Sequence, residues 1–411
     1  MMPFRMSKKL VAGLCVCAML ISSCASFAPA PEPVTLTFAH PHDPSGYYED
    51  WALQFHDRYP HITVELEAIS GSNYSRISSK DAFVVTQFEL GQYLQNRAII
   101  DLSVFIEQDD ELNAGDFYAP AVEVFNDQGR QWALPFGVDM MMLYYNKDVF
   151  DRYMVSYPHV GWSWSDFLDL ALQTTDSEAD LYGYALHHRD EMAIFEPVMI
   201  IYQYGGRLFD SLQNPTMVTL DDPLNIDAMS FYASLIYNHG VAPAPADLQR
   251  MGAPYPWRSV LEGRFAMWST MFSDRGGSRW PTPWQMNWGM APMPRGQAMA
   301  TLATAEGLFI SAQSENPDAA WLWIKFVSEQ MPPYMVPARQ SLVRSDAFRS
   351  GVGSDVAMAA EAAMESAMLV NPDLLGFDVA LGAMMEAFEQ IRSGEVTPEI
   401  ALTTAQERSG Y

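Results

Sequence analysis

Between residues 34 and 85 the apolar positions change their spacing with each segment. Val34, Leu36 and Phe38 alternate with Thr35 and Thr37, the period-two signature of a strand. Tyr48, Ala52, Phe55 and Tyr59 then fall at helical spacing on one face, and Tyr59-Pro60 ends that helix because the residue before a proline is pushed out of the helical region. Ile62, Val64 and Leu66 alternate with Thr63, Glu65 and Glu67 in a second strand, and Ala82-Phe83-Val84-Val85 reads as a short strand covered on both faces. Strand, helix, strand in this order predicts βαβ units, a mainly parallel sheet and the α/β class.

Later segments repeat the pattern. Ser163 is placed to cap a helix, with Asp166 three residues on and Phe167, Leu170 and Ala171 on one face. Asn316-Pro317-Asp318 supplies a cap, a first-turn proline and an acid at the positive helix end, ahead of an apolar stripe of Ala320, Trp323, Ile324 and Val327. Trp321 and Trp323, inside that run, are expected to pack. Thr397-Pro398-Glu399 opens a last helix in the same way. No repeat of solenoid or propeller length and no heptad run is present.

The amino terminus has a different character. Arg5, Lys8 and Lys9 precede an apolar stretch from Leu10 to Ile21, too short to cross a bilayer as a helix and typical of an export signal. Ile21-Ser22-Ser23-Cys24 resembles the bacterial lipoprotein cleavage box, which implies removal of residues 1–23, a lipid on Cys24 and a proline-rich tether over 24–33. All three cysteines lie in the first 24 residues, so a body cleaved there has no internal disulfide and no cysteine-type zinc site. The expected location is the cell envelope, on the periplasmic or extracellular face of a membrane.

Composition narrows the chemistry. The 411 residues carry 24 Lys+Arg against 50 Asp+Glu, a net charge of -26, which repels a phosphate backbone and excludes nucleic acid as the expected partner. The length allows two or three domains, and 49% hydrophobic residues suffice for substantial cores. The chain contains no GxxxxGK[ST] loop, GxGxxG, HExxH or GxSxG. The eight histidines are scattered, and His40-Pro41-His42 and His187-His188 read as loop residues rather than metal ligands. Carboxylate pairs are unavoidable among fifty acids and do not by themselves indicate a glycosidase. We therefore expect no enzyme activity, no cofactor and no metal.

An ordered set of short motifs carries a resemblance. Phe55–Val64, Asp81–Val85, Leu94–Leu102, Trp132–Phe136 leading to Leu143–Phe150, Trp164–Phe167, Tyr204–Gly206, Glu262–Met267, Trp288–Pro294, Ile310–Trp321 and Pro337–Arg339 follow one another along the mature chain. Together they are similar to the extracellular solute-binding proteins of family 1, the sugar-binding class that serves ABC importers. The resemblance implies a type II periplasmic-binding-protein-like fold, two α/β lobes joined by three hinge crossovers with a ligand cleft between them. The crossovers fall near Phe136–Met140, Leu302–Glu306 and Gln330–Pro333. One lobe then comprises 34–138 and 303–332, the other 139–302 and 333–411.

The implied function is capture of a mono- or oligosaccharide in the cleft and delivery, by lobe closure, to an ABC permease whose ATPase is a separate protein, the receptor being a monomer. Other ligands carried by such a fold are a polyol, glycerol phosphate, a polyamine or iron, and a secreted glycoside hydrolase is the competing class. A sugar needs aromatic faces for its C–H surfaces and polar groups for its hydroxyls. Trp257 and Trp284, in proline-rich stretches, are the candidate platforms. The resemblance places Asp139 at the first crossover, Glu306 at the second and Arg339 after the third. Asp81 precedes a strand, Gln87 and Glu89 follow it, and Phe272, Asp274 and Arg275 follow another. His42, Tyr204 and Gly205 complete the expected ligand-binding set.

Overall fold

The structure is a computed structural model, and it describes residues 31–42, 45–69, 74–187, 192–210, 216–252, 256–369 and 378–409. The export segment, Cys24, most of the tether and His188 lie outside the described residues. The first strands are β1 (Val34–Pro41), β2 (Ile62–Ile69), β3 (Ala82–Thr86), the hairpin pair β4 (Asn126–Asp127) and β5 (Arg130–Gln131), and β6 (Leu134–Asn146). They are followed by β7 (Tyr182–Ala185), β8 (Phe265–Met271), β9 (Trp288–Ala291), β10 (Thr301–Ile310), β11 (Val336–Pro337) and β12 (Ala367–Leu369).

These strands join in the order β2-β1-β3-β10-β6-β8-β7, with β11 and β9 also on β6 and β12 on β10. β1 is parallel to β2 and β3, as the βαβ pattern requires, with Phe38 opposite Ala82. Beyond them the sheet is mixed rather than mainly parallel: β10 runs antiparallel to β3 and β6, and β6 antiparallel to β8 and β9. The reason lies in two long strands. β6 pairs with β10 up to Met140 and with β8 from Met141 onward, so it leaves one sheet and enters another in a single pass. β10 returns in the opposite direction, with Leu302 packed in one apolar core and Ala303 in the other. All thirteen residues of β6 are buried, which explains its unbroken apolar character through Met140-Met141-Met142.

The helices cover this frame. The helix Tyr47–Arg58 buries Tyr48, Trp51 and Phe55 against β1 and the later helix Pro317–Ser328. That later helix buries Ala320, Trp323, Ile324 and Val327 as the spacing predicts. It also buries Lys325, whose Nζ reaches Asp109 at 2.7 Å and Glu111 at 3.3 Å. The Asn316 side chain makes no capping bond there, so the fixed φ of Pro317 and the nearby Asp318 start the helix. Ser163 and Asp166 form the expected reciprocal capping box of the helix Trp164–Gln173. Among the described residues no helix is long and apolar enough to cross a membrane.

Candidate functional site

A cavity of about 220 Å³ opens where β6 and β10 pass between the two sheets. Asp139 and Met141 of β6 and Leu302, Ala303 and Thr304 of β10 form its floor. Phe88 lines it from the first sheet's side, and Phe195, Met271 and Arg279 line it from the second's.

The strand register puts the acids on one face. Asp139 pairs with Thr304, and Glu306, two residues on, pairs with Gly137. Side chains two apart share a face, so Asp139, Thr304 and Glu306 point the same way, with the two carboxyls on a diagonal. Gly137 is required at this point: a Cβ on it would lie 2.9 Å from Cβ of Met335, in the loop that crosses above.

Asp139 is 3% exposed, and its Oδ1 accepts from the Ser273 backbone N–H at 2.9 Å. Burial pushes its pKa up to about 6 against the lowering hydrogen bonds from Ser273, Asp274 adds like charge, and Arg279 opposes. Glu306 is half-buried and accepts no hydrogen bond from any described residue. Burial raises it to about 7, with Asp139 and Glu89 adding like charge and Arg279 again opposing. Both folded values exceed the ordinary ones of 3.8 and 4.5. Below the ordinary values the carboxyls are protonated in folded and unfolded chains alike, and their burial carries no ionic penalty. As pH rises through the folded values the native state must ionise them, so stability falls. The unliganded protein is therefore expected to unfold more easily at about pH 8 than at about pH 5.5, by roughly 1–3 kcal/mol. Denaturant midpoints at the two pH values measure this, and equal midpoints contradict it.

The walls have their own supports. Glu89 accepts from the Thr86 N–H at 3.0 Å, closing a tight turn after β3 that leaves Phe88 39% exposed at the cavity. Gln87 is buried and accepts from the Ala305 N–H at 2.7 Å, whereas its Nε2 has no partner among the described residues. On the other side Glu196, next to Phe195, is fully buried. It accepts from the Tyr184 hydroxyl, from Ser269 Oγ at 3.1 Å and from the His187 N–H at 3.4 Å. Burial raises its pKa and the His187 imidazole opposes the rise. This fixes the helix Met192–Gln203 to β7 and β8, and Phe195 with it. Arg279 donates from Nη1 to Ser273 Oγ at 3.0 Å.

The expected site residues divide accordingly. Asp139 and Glu306 come together on one face, with Gln87 and Glu89 bracing it. Asp274 accepts from the Thr270 hydroxyl. Arg275 lies over the Phe272 ring and donates to the carbonyls of Phe272, Tyr334 and Pro333, so it ties the loop after β8 to the segment before β11. Phe272 is fully buried and stacks on Phe348, which makes it core rather than cleft. Trp284 is core as well: Tyr144, Trp268, Trp280 and Trp288 surround it at 4.9 to 5.6 Å. Arg339 is buried, donates to Ser328, sits 3.5 Å from Asp116 and covers the Phe117 ring, and these contacts fully engage it.

Asp81 lies at the opposite end of β3 from the cavity, where its carboxylate accepts from Thr37 and Ser314. His42 is exposed just past β1. Tyr204 stacks on Phe231, and Gly205 takes a left-handed φ of +83° to turn the chain after the helix Met192–Gln203. Trp257 is half-buried beneath Arg258 and belongs to neither apolar core. Phe88, Phe195 and Arg279 went unrecognised in the sequence. Phe88 stands between the expected residues Gln87 and Glu89, and Arg279 follows the expected loop by four residues. Among the described residues no group of three or more His, Cys, Asp or Glu is arranged to hold a metal ion.

Comparison with known proteins gives a consistent result. Residues 39–330 match the family model described as bacterial extracellular solute-binding protein. A binding protein of Brucella abortus is 23% identical over 336 residues, covering 78% of this chain and 76% of its own. The sugar-binding protein MalE from Xanthomonas citri superposes with a TM-score of 0.76 at 17% identity, over 92% of this chain and 96% of that one. An ABC substrate-binding protein from Listeria monocytogenes in complex with cycloalternan gives 0.71 at 22% identity, over 92% and 98%. The fold of these neighbours is the two-lobed α/β clamshell.

Proposed function

The chain belongs to the bacterial extracellular solute-binding protein family, and from that premise we propose that it captures a saccharide in the cavity between its lobes and hands it to an ABC permease. The observation that carries the ligand class is the cavity's mixture of surfaces: Phe88 and Phe195 offer rings for C–H faces, while Asp139, Thr304 and Arg279 offer acceptors and donors for hydroxyls. The solved neighbours that bind cycloalternan and maltotetraose support the same class.

In this reading the lobes comprise 34–138 with 303–332 and 139–302 with 333–411. β6 and β10 supply the first two crossings. The third segment returns to β6 through β11 and to Ser328 through Arg339 before its helices reach the second lobe. A ligand that touches both lobes stabilises the closed form by its preference for that form, and the permease reads the shape. No bond in the ligand changes, and the receptor needs no catalytic group. Processing before Cys24 and a lipid on that residue place the receptor at the outer side of a membrane.

Thermal unfolding against a panel of mono- and oligosaccharides tests the ligand class. Binding to the folded state alone raises the melting temperature by mass action, so at least one saccharide is expected to raise it by several degrees. A panel in which only a phosphate ester, a polyamine or a metal ion does so overturns the saccharide reading.

A further inference from the structure

The charges around the cavity are unequal. Asp139 lines it from β6, Glu306 stands on the same sheet face two residues beyond the lining Thr304 of β10, Glu89 adds like charge from the turn after β3, and Asp274 adds more from the loop after β8. Against them stands Arg279, whose charge opposes both carboxyls and whose Nη1 is shared with Ser273. Of the other two arginines expected at the site, Arg275 interacts with the Asp139 charge but spends its hydrogen bonds on the carbonyls of Phe272, Pro333 and Tyr334, and Arg339 is engaged by Ser328 and Asp116. Glu306 has no hydrogen-bond donor among the described residues, and its register partner Gly137 offers no side chain.

An uncharged sugar that closes this space leaves two carboxyls on a diagonal of one sheet face, away from water, with Arg279 the one arginine among the described residues whose charge opposes both of them. Like charges so placed are mutually destabilising, and an unpaired buried carboxylate is costly. A cation on the ligand removes both problems. A primary ammonium is small, has three donors, and can bridge two acceptors on adjacent strands. The apolar walls of Phe88, Met141, Phe195 and Met271 strengthen such a contact by excluding water.

We propose that the captured saccharide is an amino sugar, its protonated primary amine seated between the Asp139 and Glu306 carboxyls and its ring between Phe88 and Phe195. The proposal rests on the saccharide reading above. It also explains why the two acids stand together at the crossing strands: they hold a proton in the empty receptor and exchange it for the ligand's ammonium.

Calorimetric titration at about pH 7 with glucosamine, galactosamine and a free-amine chitooligosaccharide, each beside its N-acetyl form and its neutral hydroxyl counterpart, tests this. The free-amine form of at least one is expected to bind roughly tenfold tighter or more than both counterparts. Its binding enthalpy should vary with buffer, reporting release of a proton. In Glu306→Gln, whose fold is checked by its melting temperature, the preference for the amine should collapse to within about threefold. N-acetyl or neutral sugars binding as tightly as the amines overturn the amine assignment and leave the saccharide reading standing. An amine preference that survives Glu306→Gln overturns the assigned seat. If no sugar of any form binds, both readings fall.

Discussion

Replacing Trp284 with alanine is expected to lower stability by about 3–5 kcal/mol while leaving ligand affinity within about threefold. The indole is 7% exposed and stands in a ring cluster of Tyr144, Trp268, Trp280 and Trp288, with edge-to-face contacts to Tyr144 and Trp268 at 4.9 and 5.1 Å. Truncation removes those contacts and opens a void that the surrounding rigid strands β6, β8 and β9 cannot close. Denaturant midpoints measure the first effect, and titration with the ligand that gives the largest thermal shift measures the second. A large loss of affinity with little loss of stability would instead make Trp284 a sugar platform, as its place in a proline-rich stretch first implied.

That residue shows where sequence reasoning stops. An indole between prolines offers the same local pattern whether it faces a ligand or a core, because periodicity reports only the elements that are regular. The strands β1 to β3 and the helices opened by Ser163 and Pro317 were legible, since their apolar spacing and caps are local properties. The mixed character of the sheet was not, because it depends on which distant strand lies beside β6. Asp139 and Glu306 were found through their crossover positions in a family pattern. Their meeting on one face follows from the register of β6 on β10, which joins residues far apart in the chain. Arg339 and Asp81 looked equally available as lone polar residues near motif boundaries. Their partners Ser328, Asp116, Thr37 and Ser314 are brought to them only by folding.

The second large effect is expected at Asp139. The residue is 3% exposed, lines the cavity and sits where β6 passes from one sheet to the other. A ligand hydroxyl or amine bound there makes a charge-assisted hydrogen bond in a water-poor space, and its loss typically costs about 1.5–3 kcal/mol. Asp139→Ala should therefore bind the ligand roughly ten- to a hundredfold more weakly. Asp139→Asn keeps an acceptor for the Ser273 N–H and serves as the check that the crossing strands remain folded.

Isothermal titration of the wild-type, Asp139→Ala and Asp139→Asn proteins with the saccharide selected by thermal shift is the most direct test of capture between the lobes. We expect a single site per chain in the wild type, the ten- to hundredfold loss in Asp139→Ala, and native-like unfolding of Asp139→Asn. Undiminished binding by a folded Asp139→Ala would mean that the ligand is held somewhere other than the space between β6 and β10.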